Sequence, residues 1–80
     1  MAHTHLYPPI REAVAQIQRK KRDARRFPDH AMLISDGLQD KIGVECTRID
    51  FLAALGEMVE LEIIETGRTV NDTYVRLVEA

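Results

Sequence analysis

Residues 38–52, with the sequence Leu-Gln-Asp-Lys-Ile-Gly-Val-Glu-Cys-Thr-Arg-Ile-Asp-Phe-Leu, decide the fold of this chain. Gly43 stands in the middle, where a glycine commonly follows the last turn of a helix. Thr47 and Asp50 follow with the spacing of a capping box, in which the threonine begins a helix and the acid lies three residues on. The stretch therefore predicts the end of one helix, a tight turn and the start of a second helix.

Apolar residues in this region have the spacing that two steeply crossing helices need. Ser35 is the predicted cap of the first helix, which ends at Gly43, and the second helix extends to about Glu60. The residues predicted to face inward are Leu38, Ile42, Val44, Ile49, Leu52, Ala53 and Leu55.

The preceding segment predicts one further helix, over residues 8–27. Proline suits a first helical turn, as at Pro8 and Pro9, and Pro28 disfavours helical geometry in the residue before it. The apolar stripe covers the first half of the helix and comprises Ile10, Ala13, Val14 and Ile17. The second half is basic, so we expect it to protrude from the core. Residues 1–7 are predicted to form a flexible leader.

The remaining segments predict short strands. Residues 31–34 are apolar and form either a short strand, which we favour, or the start of a helix capped by Asp29. Residues 61–66 and 73–78 are rich in β-branched residues, and turn residues lie between them. They predict a β-hairpin over 61–78.

This order of elements resembles the winged helix-turn-helix superfamily. The resemblance is carried by residues 38–52 and by residues 51–77, FLAALGEMVELEIIETGRTVNDTYVRL. It implies an α+β fold with three helices and a hairpin, the wing, in a single domain over residues 8–80, with the helix-turn-helix at about 35–60. Gln39 departs from the family pattern, which has a small residue four positions before the glycine.

The resemblance implies DNA binding by a small transcriptional regulator, whose second helix of the motif enters the major groove of double-stranded DNA. Thr47 and Arg48 would then face bases, while Arg68 and Asn71 would lie at the wing tip. The cations expected to hold phosphates are Arg19, Lys20, Lys21, Arg22, Arg25 and Arg26. The same basic segment could instead dock on the acidic body of the chain or of a dimer mate.

A second apolar stripe gives an alternative function. Phe51, Ala54 and Met58 lie on one side of the third helix, beside the stripe assigned to the core. A helix that is apolar on two sides is usually covered on both. The cover would be the N-terminal helix, another subunit or a protein partner. The alternative to DNA binding is therefore a protein-interaction or homodimerisation module.

The charge and composition of the chain exclude several classes of protein. The net charge is −2, but residues 1–26 hold seven basic and two acidic side chains, and the rest of the chain is acidic. A chain with one cysteine, Cys46, has no disulfide framework, and no apolar stretch approaches the ~20 residues of a membrane span. His3 and His5 lack a scaffold that would hold a metal. We therefore expect a cytoplasmic protein with no enzymatic activity, cofactor or metal.

Overall fold

The computed structural model describes residues 2–78 and has an α+β fold. Its three α-helices are α1 (Tyr7–Asp23), α2 (Leu38–Lys41) and α3 (Arg48–Glu60), and its three strands are β1 (Ala31–Met32), β2 (Ile64–Arg68) and β3 (Thr73–Leu77). The strands form one antiparallel sheet in the order β1-β3-β2. The predicted strand within 31–34 and the predicted hairpin are confirmed, although the first strand of the hairpin is β2 rather than residues 61–66.

The core lies between α1, α3 and the sheet and is almost entirely aliphatic. The four apolar positions predicted for α1 are all buried, as are Leu38 and Ile42. Gln18 is also buried, and its Oε1 accepts a hydrogen bond of 3.0 Å from the backbone N–H of Leu77. This bond ties α1 to β3 and satisfies a polar group that would otherwise be costly to bury.

Residues 3–7, part of the predicted flexible leader over 1–7, instead pack against the fold. Residues 4–6 form a short 3₁₀-helix, and Leu6 is fully buried in the core. Tyr7 already belongs to α1. Burial of Leu6 accounts for the difference, because one large aliphatic side chain in the core fixes the segment that carries it. Met1 and residues 79–80, which belong to the predicted leader and domain, lie outside the described residues.

Helix α1 ends at Asp23, four residues before the predicted end. Arg25 adopts a left-handed conformation with φ of 55°, and the N–H of Arg26 donates to the carbonyl oxygen of Lys21 at 2.8 Å. Together with the bond from the N–H of Arg25 to Arg22, this is a Schellman motif. The chain therefore leaves the helix before it reaches Pro28.

The connection between α2 and α3 differs from the predicted tight turn. Helix α2 has four residues, and six residues separate it from α3. The N–H groups of Ile34 and Ser35 donate to the carboxylate of Asp72 at the base of the hairpin. Because these bonds hold the segment in turns, Ser35 does not begin a helix. Val44, predicted to be inward, is exposed.

Helix α3 begins and ends where the sequence predicts, but it is rotated about its axis. Phe51, Ala54 and Met58, the predicted protein interface, are fully buried in the core. Ile49 and Leu52, predicted to be inward, are exposed. Phe51 and Met58 are among the largest fully buried side chains, and burying the larger apolar area is favoured. The interface assigned to Phe51, Ala54 and Met58 is therefore wrong.

Candidate nucleic-acid interface

A basic groove lies between the C-terminal end of α1 and helix α2. Its volume is about 410 Å³, and it is lined by Ile17, Lys20, Lys21, Ala24, Arg26, Asp36 and Lys41. Four of these side chains are cationic and one is acidic. Lys20, Arg26 and Lys41 form no ion pair with any of residues 2–78 and are exposed. The groove therefore presents three cations that the described part of the protein does not neutralise.

The sequence explains why these cations are held at one edge of the molecule. Ile17 is the last apolar residue of the α1 stripe and forms the floor of the groove, so the basic turn beyond it extends past the core. The Schellman motif then turns the chain back, which brings Arg26 to the same groove as Lys20. Lys41 approaches from the last turn of α2.

Two cations of the predicted cluster are bound internally. Lys21 donates from Nζ to Asp36 at 2.6 Å and to the carbonyl oxygen of His30 at 2.7 Å. Arg22 pairs through Nε with the carboxylate of Asp29, which is almost fully buried. The Arg22 guanidinium lowers the pKa of Asp29, against the opposing effect of burial. The predicted docking of the basic segment on the acidic body thus applies to Lys21 and Arg22.

Arg19 and Arg25 are exposed outside the groove and form no ion pair with any of residues 2–78. The groove includes one cation, Lys41, that was not predicted to hold phosphate. The sequence does little to mark Lys41 as a site residue, because a lysine in the last turn of a short helix is common.

The two residues predicted to contact bases, Thr47 and Arg48, already form hydrogen bonds within the protein. Oγ1 of Thr47 accepts the N–H of Asp50 at 3.0 Å, which confirms Thr47 as the cap of α3. Arg48 donates from Nη1 to Oε1 of Gln39 at 3.0 Å, and Gln39 donates to the carbonyl oxygen of Cys46 at 3.1 Å. Gln39, the departure from the family pattern, thus links α2 to the start of α3.

The outward face of α3 is apolar and acidic rather than basic. Ile49 is 79% exposed, Leu52 is 45% exposed and Val59 is 38% exposed. Asp50 and Glu60 are exposed on the same helix. Such a face offers few donors to base edges and repels phosphates.

The hairpin tip carries the predicted wing residues. Arg68 is exposed and lies in β2 opposite Thr73, while Asn71 is exposed in the loop. The carboxylate of Asp72, the next residue, accepts hydrogen bonds from backbone N–H groups. Its partial burial favours a higher pKa, but the N–H groups of Ser35, Ile34 and Thr73 outweigh this and lower the pKa to about 2.

A polar cluster that the sequence did not predict ties the N-terminal segment to α3. Oε2 of Glu57 lies 2.6 Å from Nδ1 of His3, and Oε1 accepts the hydroxyl proton of Tyr7 at 2.6 Å. The hydrogen bond to Glu57 raises the pKa of His3, and bonds from His3 and Tyr7 lower the pKa of Glu57 to about 2. Burial, followed by the bond to Glu57, raises the pKa of Tyr7 to about 12.

The other candidate residues take structural positions. Cys46 is half-buried against the core and is a free thiol. Within residues 2–78, no group of three or more His, Cys, Asp or Glu side chains is arranged to hold a metal ion. The same residues include no helix that is long and apolar enough to span a bilayer.

No protein-family model, curated protein or solved structure matches this chain significantly.

Proposed function

We propose that this chain is a winged-helix protein that binds double-stranded DNA through phosphate contacts in the basic groove. The observation that carries the proposal is the groove itself, where Lys20, Arg26 and Lys41 converge without ion-pair partners among residues 2–78. Cations in an open groove attract a polyanion and release its counterions, which supplies affinity without base readout.

The order of the elements supports the winged-helix assignment. One helix, a short strand, two further helices and a hairpin follow one another, and the hairpin joins the first strand in one antiparallel sheet. The resemblance implies this order. In this proposal the protein acts as a small regulator or architectural DNA-binding protein, since phosphate contacts position a protein but do not specify sequence.

The groove, rather than α3, is the proposed contact with DNA. The outward face of α3 carries Ile49 and Leu52, and the guanidinium of Arg48 is already bonded to Gln39. Arg68 and Asn71 lie at the hairpin tip. They would contact the duplex only if it extended from the groove to the tip. Their contribution is therefore a secondary part of the proposal.

The proposal is tested by titrating a labelled DNA duplex with the protein at low salt and following fluorescence anisotropy. We expect binding whose affinity falls with salt, with a logarithmic slope of about −3 for three to four neutralised phosphates. Lys20→Glu, Arg26→Glu and Lys41→Glu should each weaken binding by about tenfold and reduce the slope by about 1.

Arg11→Glu is the matched control, because Arg11 is exposed at the other end of α1 and the substitution changes the net charge equally. At about 0.1 M salt, where the Debye length is about 10 Å, we expect Arg11→Glu to weaken binding by less than about threefold, since exposed charges beyond a Debye length are screened. No binding at low salt, or equal losses for Arg11→Glu and Lys20→Glu, would contradict the proposal.

A further inference from the structure

We propose that residues 3–7 form a pH-sensitive strap, which closes over the core while the ring of His3 is charged and opens locally once the ring loses its proton. The strap comprises His3, the 3₁₀-helix over residues 4–6 and Tyr7. It packs on both α1 and α3 and carries one core residue, Leu6. The rest of the molecule stays folded when the strap opens, and the inference does not depend on the proposed DNA binding.

The strap is held to the rest of the fold by few side chains. Leu6 is its one fully buried residue, and the two residues before it are exposed. Its hydrogen bonds to α3 converge on Glu57, which accepts the backbone N–H of His3 at 3.0 Å and the hydroxyl proton of Tyr7 at 2.6 Å. Segments with few buried contacts open at a lower free energy than the whole molecule. Opening of the strap therefore does not require global unfolding.

Both ring nitrogens of His3 face carboxylate oxygens of α3. Nδ1 lies 2.6 Å from Oε2 of Glu57, and Nε2 lies 3.4 Å from Oδ1 of Asp50. Only the charged ring carries a proton on both nitrogens. In the neutral ring one nitrogen presents a lone pair to a carboxylate, and this contact is repulsive. The geometry therefore fits the charged ring and disfavours the neutral one.

The other titratable groups beside the ring do not replace the lost charge. On the side of α1, the hydroxyl of Tyr7 donates to Glu57, and with a pKa of about 12 it stays neutral throughout the range in which histidine titrates. Within the strap, the ring centre of His5 lies 6.5 Å from that of His3, and His5 is exposed to solvent, which screens its charge. Neutral His3 therefore leaves the two carboxylates of α3 without a cation in this cluster.

The direction of the response follows from the charge of the ring. The pKa of His3 is raised above its ordinary 6.5, so its stabilising effect on closure is complete below that value and is lost as pH rises through the pKa of the closed state. Opening withdraws Leu6 from the core cluster that it shares with Phe51 and Met58. The strap therefore covers this apolar surface at acidic pH and exposes it at alkaline pH.

Hydrogen exchange of the wild-type protein, resolved at individual amides on the millisecond scale, tests the strap. The N–H of Leu6 donates to the carbonyl oxygen of His3 at 2.9 Å, and that of Tyr7 donates to the carbonyl oxygen of Thr4. A single turn is not stable once detached, so both amides lose protection when the strap opens. Between pH 6 and 9, protection relative to an unfolded peptide at the same pH should fall at least about tenfold, the effect of losing one hydrogen bond to a charged group.

The amide of Val14 distinguishes local from global opening. Val14 is buried in the middle of α1, so its amide exchanges when the whole molecule unfolds. The protection of Leu6 should stay at least about tenfold below that of Val14 at every pH, because local opening costs less free energy than global unfolding.

Two matched variants assign the response to one ring. His3→Gln keeps a side-chain donor but removes the titrating group, so protection at Leu6 should agree within about twofold between pH 6 and 9. His5→Gln is the control, because it removes an exposed histidine from the same segment. It should keep the pH dependence of the wild type.

Constant protection of Leu6 and Tyr7 from pH 6 to 9 in the wild type overturns the strap. Equal protection of Leu6 and Val14 at each pH shows that the segment opens only with the whole molecule, which overturns local opening. A pH dependence that persists in His3→Gln, or disappears in His5→Gln, overturns the assignment to His3.

Discussion

Gly67 shows how a single residue shapes the sheet of this protein. A side-chain carbon at this position would overlap the ring of Tyr74, its partner across the ladder between β2 and β3. The ring of Tyr74 in turn stacks on His30, with the ring centres 4.4 Å apart. The absence of a side chain at Gly67 therefore lets an aromatic side chain cross the strand and cover the residues before β1.

Gly67→Ala is expected to destabilise the protein by about 1–3 kcal/mol, because the added methyl group forces the rigid ring of Tyr74 to move. Urea unfolding followed by circular dichroism measures this loss. In the background of Tyr74→Ala, the same substitution should cost less than about 0.5 kcal/mol, since the obstacle is gone. Equal costs in the two backgrounds would show that the ring does not exclude the methyl group.

The ends of α1 and α3 show what local sequence does within an element. Both helices end in a Schellman motif whose left-handed residue is not glycine but Arg25 in α1 and Glu62 in α3. In α3 the N–H of Ile63 donates to the carbonyl oxygen of Met58 at 2.9 Å, and Ile63 then leads into β2. The turn that follows each helix is thus held by backbone bonds despite an unfavourable residue.

Glu62→Gly is expected to stabilise the protein by about 0.5–1 kcal/mol, because glycine adopts the left-handed conformation without the cost that a side chain adds. Glu12→Gly is the control, since Glu12 lies in the middle of α1 and is exposed. There the substitution should destabilise by about 1 kcal/mol. Thermal or urea unfolding gives both values, and a loss of stability in Glu62→Gly would contradict the account.

The helices also show how far the sequence determines the structure. The cap at Thr47 and the end at Glu60 are local signals, so both bounds of α3 could be predicted. The rotation of α3 could not, because both Ile49 and Phe51 belong to stripes with helical spacing. Only the packing of α1 and the sheet decides which stripe is buried. Leu6 and Gln18 were missed for the same reason, since their partners lie far along the chain.

The candidate groove was predicted in part. The cations from Arg19 to Arg26 are visible as a cluster beyond the last apolar residue of α1, and this pattern indicated an exposed basic end. Which of them would be neutralised depends on Asp29 and Asp36, which reach Arg22 and Lys21 only in the folded chain. Lys41 joins the groove by tertiary contact.

At the scale of the whole molecule, the N-terminal segment is joined to α3 by polar contacts whose strength depends on pH. Glu57 binds His3 and Tyr7, and a second carboxylate, Asp50, lies 3.4 Å from Nε2 of His3. These contacts hold the N-terminal segment on α3, where Leu6 completes the core.

Stability is expected to be greatest between about pH 4.5 and 6.5. The pKa of His3 is raised above its ordinary 6.5, so its stabilising effect is complete below that value and is lost as pH rises through the folded pKa. The pKa of Glu57 is lowered from 4.5 to about 2, so its effect is present above 4.5 and is lost towards pH 2. Asp72 adds to the loss at acid pH.

Urea unfolding at a series of pH values measures this profile. His3→Gln should remove the loss of stability on the alkaline side and reduce the loss on the acid side, because Tyr7 still lowers the pKa of Glu57. Glu57→Gln should reduce the alkaline loss to the part contributed by Asp50, and the acid loss to the part contributed by Asp72 and Asp29. A wild-type free energy of unfolding that stays constant from pH 5 to about 9 would contradict the assigned contacts.

The most direct test of the basic groove is a nuclear magnetic resonance titration of the ¹⁵N-labelled protein with a DNA duplex at low salt. We predict that the amide signals of residues 19–26 and of Lys41 shift as the duplex is added, while those on the outward face of α3 stay in place. Shifts confined to residues 48–59, or no shifts at all, would contradict the claim that this protein binds DNA through the groove between α1 and α2.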